Sequence, residues 1–263
     1  MSTPAAPTPS VALDAALRAA HAAGEIIRQA YRGNVAVEYK ADASPVTEVD
    51  IACEERIAQI LREACPGYGF FGEETGQSDM QAEHVWLVDP LDGTKSFVRG
   101  YPFISTQIAL MHRGELVLGV SSAPLFEEVA WAELGQGAWL NGERLRVSAI
   151  DDWPQATLST GNIASLAQDA QRWARLGELL PQLHRIRGYG DFYHYHLLSA
   201  GRIDAVLESD LNILDIAANT VILREAGGVI TDLDGGPLGL ETRSTVAGNA
   251  ALQPRLLELM QRG

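Results

Sequence analysis

The sequence predicts an α+β first half followed by an α/β second half. Three observations carry that expectation. Two long helical patterns open the chain. A run of short alternating apolar segments then follows with little but turns between them. After a shift of composition near Ser148 to Pro154, strand-like and helix-like segments alternate to the C-terminus.

The elements are justified in order. "MSTPAAPTPS" has no basic stretch and no apolar run, so it does not read as a secretory signal. Residues 1–10 are expected to be a disordered tail ending at a helix N-cap, Ser10. Apolar residues from Val11 to Ala30 recur at helical spacing. A second helix is expected from about Val49 to Ala64, with Cys53, Ile57, Ile60, Leu61 and Ala64 on one stripe. Between the two, "NVAVEYKADASPVTEVD" reads as a strand and then an irregular loop. Further strands are expected at "GFFGEE", "VWLVD", "ISTQIALM", "LVLGVSSAP" and "EVAWAE". The hairpin "AWLNGERLRV" closes this meander, and its Asn141-Gly142 suits a type I′ turn. Past residue 154 the order is strand "ATLSTG", a helix over about 165–181, strand "RIRG", and a short helix "FYHYHLLSAG". Strand "DAVLE", helix "DIAANTVILREAGG", strands "VITDLD" and "STVAGN" and a C-terminal helix complete the chain. Gly227-Gly228 supplies a helix stop. The expected lobes are residues 11–148 and 149–263.

The formal net charge is −14. Binding to nucleic acid or to anionic lipid leans on Lys and Arg, so neither is expected as a partner. An acidic chain still takes a phosphate ester when divalent cations stand between the two negative partners. No apolar run approaches the roughly 20 residues of a membrane span. Cys53 and Cys65 form no CxxC, and no His/Cys cluster has zinc-ligand spacing. They read as reduced core thiols of a cytoplasmic protein.

The chemistry is expected in four acidic segments. In "VWLVDPLDGTKSF" an apolar strand runs into Asp89 and Asp92. Asp-Pro and Asp-Gly are also common turn dipeptides. Pro90 and Gly93 compact the loop, so both carboxylates and the Leu91 carbonyl can converge on one point, as a hard cation such as magnesium requires. In "FGEET", Glu73 and Glu74 sit at a strand end, where neighbours point to opposite sides. The alternative is a solvated acidic turn. In "SPVTEVD", Thr47 and Asp50 have capping-box spacing. Asp50 in a first helical turn is expected to keep a low pKa and to accept a proton from a nearby hydroxyl. Asp215 opens a helix, Glu208 ends the strand before it, and "YGDFYHYH" places Asp191 among aromatics with His194 and His196. These acids at strand ends and helix starts are what a site for several magnesium ions needs.

Taken together, "DASPVTEVD", "GEE", "DPLDGTKSF" and "LDIAANTVILREAGG" resemble the inositol monophosphatase-like superfamily of magnesium-dependent phosphatases. The likeness covers the chain from residue 11. "DGTKSFVRGYPFISTQIAL", "RGYGDFYHYHLLSAGRIDAVLE" and the "SPVTE" loop look most like its histidinol-phosphate phosphatase branch. One departure is Leu214, where the family usually has Trp. The resemblance implies a layered αβαβα sandwich with the site between two lobes, and a homodimer. It also implies that Glu73, Asp89, Asp92, Asp215 and the Leu91 carbonyl hold two to three Mg2+. Catalysis would fall to Asp50, Thr94 and Glu73, acting on a metal-activated water. Gly93, Thr94, Asp191 and Glu208 would bind substrate, with Lys40 near the metals. The substrate implied is a small phosphate monoester, L-histidinol phosphate. Inositol 1-phosphate, 3′-phosphoadenosine phosphates and sugar bisphosphates are the alternatives. An aspartyl-phosphate phosphatase of the haloacid dehalogenase type is the rival chemistry, but it places one residue between its acids, and here there are two, Pro90 and Leu91. A non-catalytic metal-binding domain would not need Thr94 and Asp50.

Overall fold

A computed structural model describes residues 6–31, 33, 37–39 and 45–262. The chain falls into two compact units. The first comprises residues 1–144 with 217–222, and the second residues 145–216 with 223–263.

The first unit begins with α1 (Val11–Ala30), whose N-cap Ser10 accepts a hydrogen bond from the Leu13 amide. Strands β1 (Val37–Tyr39) and β2 (Pro45–Thr47) pair antiparallel, so the segment read as an irregular loop carries a second short strand. Helix α2 (Glu48–Ala64) follows, closed at its N-terminus by a capping box of Thr47 and Asp50. Next come β3 (Gly69–Gly72), β4 (Gly76–Ser78), β5 (His84–Asp92), the short helix α3 (Thr94–Arg99), β6 (Ser105–His112), β7 (Glu115–Ala123), β8 (Glu128–Glu133), β9 (Gly137–Leu140) and β10 (Glu143–Arg144). They form an eight-stranded sheet in the order β10-β9-β8-β7-β6-β5-β3-β4. It is antiparallel except where β3 runs parallel to β5. Asn141 and Gly142 have φ of 49° and 84°, both positive, as a type I′ turn demands.

The core explains why α1 and α2 form where they do. Leu13, Ala16, Ala20, Ala23 and Ile27 recur at three- and four-residue steps. They pack with Cys53, Ile57 and Leu61 of α2 and with Trp86, Val88, Ile108 and Val120 of the sheet. Cys53 and Cys65 are free and buried. Burial pushes the Cys53 thiol up to about 12, with the Asp50 carboxylate adding to the shift, so it is an inert packing group.

The second unit holds β11 (Thr157–Thr160), α4 (Ala164–Gln168), α5 (Ala170–Leu179), β12 (Arg185–Arg187), α6 (Asp191–Ser199), β13 (Ala205–Ser209), α7 (Ile213–Glu225), β14 (Gly228–Thr231), β15 (Ser244–Asn249) and α8 (Leu252–Gln261). Its five-stranded sheet has the order β12-β11-β13-β15-β14. It is parallel across β12, β11 and β13 and antiparallel beyond. The single helix expected over 165–181 is two. Asp169 breaks it and caps α5, accepting from the Gln171 and Arg172 amides. Leu158, Leu166, Leu176, Leu179, Leu252 and Leu256 share a core. The fold class read from the sequence, α+β and then α/β with helices layered on sheets, stands. Among the described residues no helix is long and apolar enough to cross a membrane.

Candidate active site

In the first unit the site grows from an irregularity in β5. Asp89 pairs with Gln107 of β6, and the next pairing is Asp92 with Ser105. Three steps on β5 thus face two on β6, which is a β-bulge. Pro90, which has no N–H for a ladder, sits within it. The Thr106 hydroxyl donates to the Pro90 carbonyl at 2.9 Å, and the Leu91 amide folds back onto Asp89 Oδ1 at 3.0 Å. The Asp89 and Asp92 side chains are nonetheless buried, at 2 % and 8 % exposure.

Polar neighbours hold these acids in place. Ser105 Oγ donates to Asp92 Oδ2 at 2.9 Å and accepts from Gln107 Nε2 at 2.7 Å. Gln107 Oε1 accepts from Asn219 Nδ2 at 3.2 Å. Gly93 turns the chain with φ of +87°. A Cβ there would lie 2.3 Å from the Phe103 carbonyl oxygen, so the position admits glycine alone. Thr94 comes next, with Oγ1 3.0 Å from both Asp50 Oδ1 and the Leu91 carbonyl. One hydroxyl proton is therefore offered to two acceptors.

Asp50 Oδ2 accepts from the Thr47 amide at 2.8 Å and from the Thr47 hydroxyl at 2.5 Å. The sequence suggested a low pKa for this acid. Instead burial raises it, and the bonds from Thr47 and Thr94 offset that only in part. The capping box is present, but both of its residues are buried rather than in water.

Glu73 and Glu74 do not stand on a strand as expected. Strand β3 ends at Gly72 and the two glutamates enter a turn. The Glu73 amide donates to the Val88 carbonyl at 3.2 Å, which ties Glu73 to the residue preceding Asp89. The turn is braced by Glu54, which is fully buried. Glu54 accepts from the Glu74 amide at 2.9 Å, the Thr75 amide at 2.7 Å and the Thr75 hydroxyl. Sequence reasoning missed Glu54. Its signal is a charge four residues after Asp50, where the buried stripe of α2 calls for an apolar residue.

In the second unit Asp215 lies in the first turn of α7. Both of its carboxylate oxygens are held by Asn212, Oδ2 by the backbone amide and Oδ1 by Nδ2, each at 2.8 Å. Asn212 Oδ1 in turn accepts from the Leu214 amide at 2.7 Å, and the Leu214 side chain is buried. Asp191 opens α6 with φ of +45°, next to Gly190 at +69°. Glu208 is 4 % exposed. Its Oε2 accepts from the Tyr195 hydroxyl at 2.8 Å and lies 3.1 Å from His194 Nε2. Tyr195 also meets Thr245 Oγ1 at 2.8 Å, and burial followed by the Glu208 carboxylate pushes its phenol well up. Gly161 is required here, because a Cβ would collide with Glu208. His194 and Tyr195 were read only as residues near Asp191. Lys40 lies outside the described residues.

In the first unit the structure therefore joins Asp50, Thr94 and Leu91 in one hydrogen-bonded network, with Asp89 and Asp92 flanking Leu91 and Glu73 anchored beside them. The donors are carboxylates and a carbonyl, a set that suits a hard cation.

The model of the inositol monophosphatase family matches residues 9–263. A histidinol-phosphatase of Mycobacterium tuberculosis is 37% identical over 256 residues, 94% of this chain and 97% of that protein. Inositol monophosphatase 3 of Solanum lycopersicum is 35% identical over 257 residues, 94% of this chain and 96% of that protein. Among solved structures, the extragenic suppressor protein suhB of Bartonella henselae matches with a TM-score of 0.89 at 32% identity, over 97% of this chain and 100% of that one. Fold, acids and relatives together define a phosphoric monoester hydrolase. The chain belongs to the inositol monophosphatase family.

Proposed function

We propose that this enzyme hydrolyses L-histidinol phosphate to histidinol and phosphate in a magnesium-dependent reaction. The observation that carries the chemistry is the Thr94 hydroxyl, 3.0 Å from Asp50 and 3.0 Å from the Leu91 carbonyl, beside the Asp89–Asp92 bulge. Glu73, Asp89, Asp92, Asp215 and the Leu91 carbonyl are the proposed ligands for two to three ions. Magnesium, when bound, neutralises these carboxylates, polarises the phosphoryl oxygens and acidifies water. Thr94 orients the attacking water, and Asp50 takes the proton passed through the threonine hydroxyl. The burial of Asp50 keeps bulk solvent from competing for that proton. The Gly93 and Thr94 amides meet the phosphate, and phosphoryl transfer asks for little beyond such positioning.

Asp191 and Glu208 are proposed on the leaving-group side, where the ammonium and imidazole of histidinol favour acidic partners. The relative named as a histidinol-phosphatase supports that choice. The resemblance to this family also supports a homodimer, checked by light scattering in solution, and the reduced cysteines a cytoplasmic location.

The test is a panel of histidinol phosphate, inositol 1-phosphate, adenosine 3′,5′-bisphosphate and fructose 1,6-bisphosphate, with and without Mg2+. Histidinol phosphate is expected to give the highest kcat/KM, and chelation to abolish turnover. A preference for inositol 1-phosphate would replace the substrate assignment while leaving the chemistry. In Asp191→Asn the preference for histidinol phosphate over inositol 1-phosphate should fall. An unchanged ratio would remove Asp191 from substrate selection.

A further inference from the structure

A chain of buried groups in the second unit runs from Tyr189 to Glu208, and its protons can be placed one by one. Ser159 of β11 and His194 of α6 are both fully buried. Ser159 Oγ accepts from the Tyr189 amide at 3.2 Å and lies 3.4 Å from His194 Nδ1. Among the described residues it has no other hydrogen-bond partner, so the serine proton goes to the imidazole. A ring that accepts at Nδ1 is neutral and carries its hydrogen on Nε2. That nitrogen lies 3.1 Å from Glu208 Oε2 and donates to it.

The two oxygens of Glu208 are held unequally. Oε2 accepts twice, from His194 and from the Tyr195 hydroxyl at 2.8 Å. The Tyr195 oxygen in turn takes the proton of Thr245 Oγ1 at 2.8 Å, and Thr245 is the cross-strand partner of Glu208. Oε1 has one long contact, 3.4 Å from the Asn162 amide, and Gly161 leaves it the space that a Cβ would fill. Among the described residues no lysine or arginine pairs with Glu208. Neutral histidine and tyrosine hold the carboxylate without cancelling its charge. A buried carboxylate without a counter-charge is costly, and a cationic ligand relieves that cost.

We infer that His194 is a positioning residue for substrate selection. As the Nε2–H tautomer aimed by Ser159, it fixes Glu208 as a charged carboxylate whose Oε1 takes a cationic nitrogen in the alcohol part of the phosphate ester. This rests on the proposed place of Glu208 at the leaving group. Tyr189, two residues before Asp191, is tied to the same network through its amide, so both proposed selectivity acids share one support.

The test compares kcat/KM for histidinol phosphate and inositol 1-phosphate in the full chain at saturating Mg2+. His194→Leu removes the donor and should lower the ratio of the two by about tenfold, as loss of a hydrogen bond to a charged group does. The loss should appear in KM for histidinol phosphate. His194→Gln, which places an amide N–H near the Nε2 position, should restore most of it. Glu208→Gln should lower the ratio at least as far, and adding His194→Leu to it should change little further. Nitrogen-15 NMR of wild type should show His194 as the neutral Nε2–H tautomer at neutral pH, the signal being assigned by its loss in His194→Gln. An unchanged ratio in Glu208→Gln would overturn the place of Glu208 at the leaving group and this role of His194 with it. A lowered ratio in Glu208→Gln but not in His194→Leu, or independent effects in the double variant, would overturn the role of His194 alone. Should His194→Leu fail to fold, an imidazolium or an Nδ1–H tautomer in wild type overturns it without any variant.

Discussion

Thr94 is where a single hydroxyl does the most. Its proton lies between a buried carboxylate and a backbone carbonyl. Thr94→Ala should lower kcat by ~10²–10⁴-fold, the range for a lost proton-transfer group, with KM little changed. Thr94→Ser should restore most of the rate, since only the hydroxyl is used. Steady-state kinetics on the three proteins, with circular dichroism to confirm folding, separate a catalytic role from a structural one. Gly93 is the opposite kind of residue, important for what it lacks. Gly93→Ala puts a methyl against the Phe103 carbonyl and strains a left-handed turn.

At the scale of elements, the turn after β3 depends on a helix. Glu54 of α2 anchors the amides of Glu74 and Thr75, so it positions Glu73 without touching any reacting group. Glu54→Gln turns one acceptor oxygen into a donor facing an N–H. Its expected effect is a several-fold rise in the Mg2+ concentration for half-maximal activity, larger than any change in kcat at saturating Mg2+. A Mg2+ titration of both proteins checks this. Asp210 gives a pH-dependent counterpart. It accepts from the Ser165 amide at 2.9 Å, and that bond first among its causes holds its carboxyl below the ordinary range. A depressed folded pKa stabilises the fold above the ordinary carboxylate value of ~3.9 and ceases to do so as pH falls through the folded value. Asp210→Asn should therefore lower Tm at neutral pH and converge with wild type in acid. Asn tolerates the positive φ of 57° at this position, which keeps the comparison clean.

Elements with strong local signals were legible. The ends of α1 follow from Ser10 and from apolar spacing through Ala30, and the I′ turn follows from Asn141-Gly142. The break at Asp169 was not legible, because the apolar spacing of residues 165–181 continues across it and only the cap reveals the stop. The turn at Glu73 was only the alternative reading for a different reason: what fixes it is Glu54, 19 positions earlier (73 − 54). Of the candidate site, residue types and order were readable. The brace of Ser105, Gln107 and Asn219 was not, since strand register and a distant helix decide it.

For the whole molecule, the distribution of α7 is the main point. Asp215 opens it in the second unit, while Ala217–Ile222 count with the first. Gly119 of β7 is glycine because a Cβ would come 2.3 Å from the Ala218 carbonyl oxygen. Gly119→Ala should push strand and helix apart and lower Tm by several degrees, as an overpacked core contact of ~1–3 kcal/mol does. Thermal unfolding by calorimetry reads this directly.

That helix also decides how the protein can be dissected. A fragment ending at Arg144 would keep every strand of the larger sheet yet leave Gln107 without Asn219 and Gly119 without the backbone it abuts. Such a truncation should be insoluble when produced alone, and its recovery should require the remainder of the chain to be supplied in the same cell.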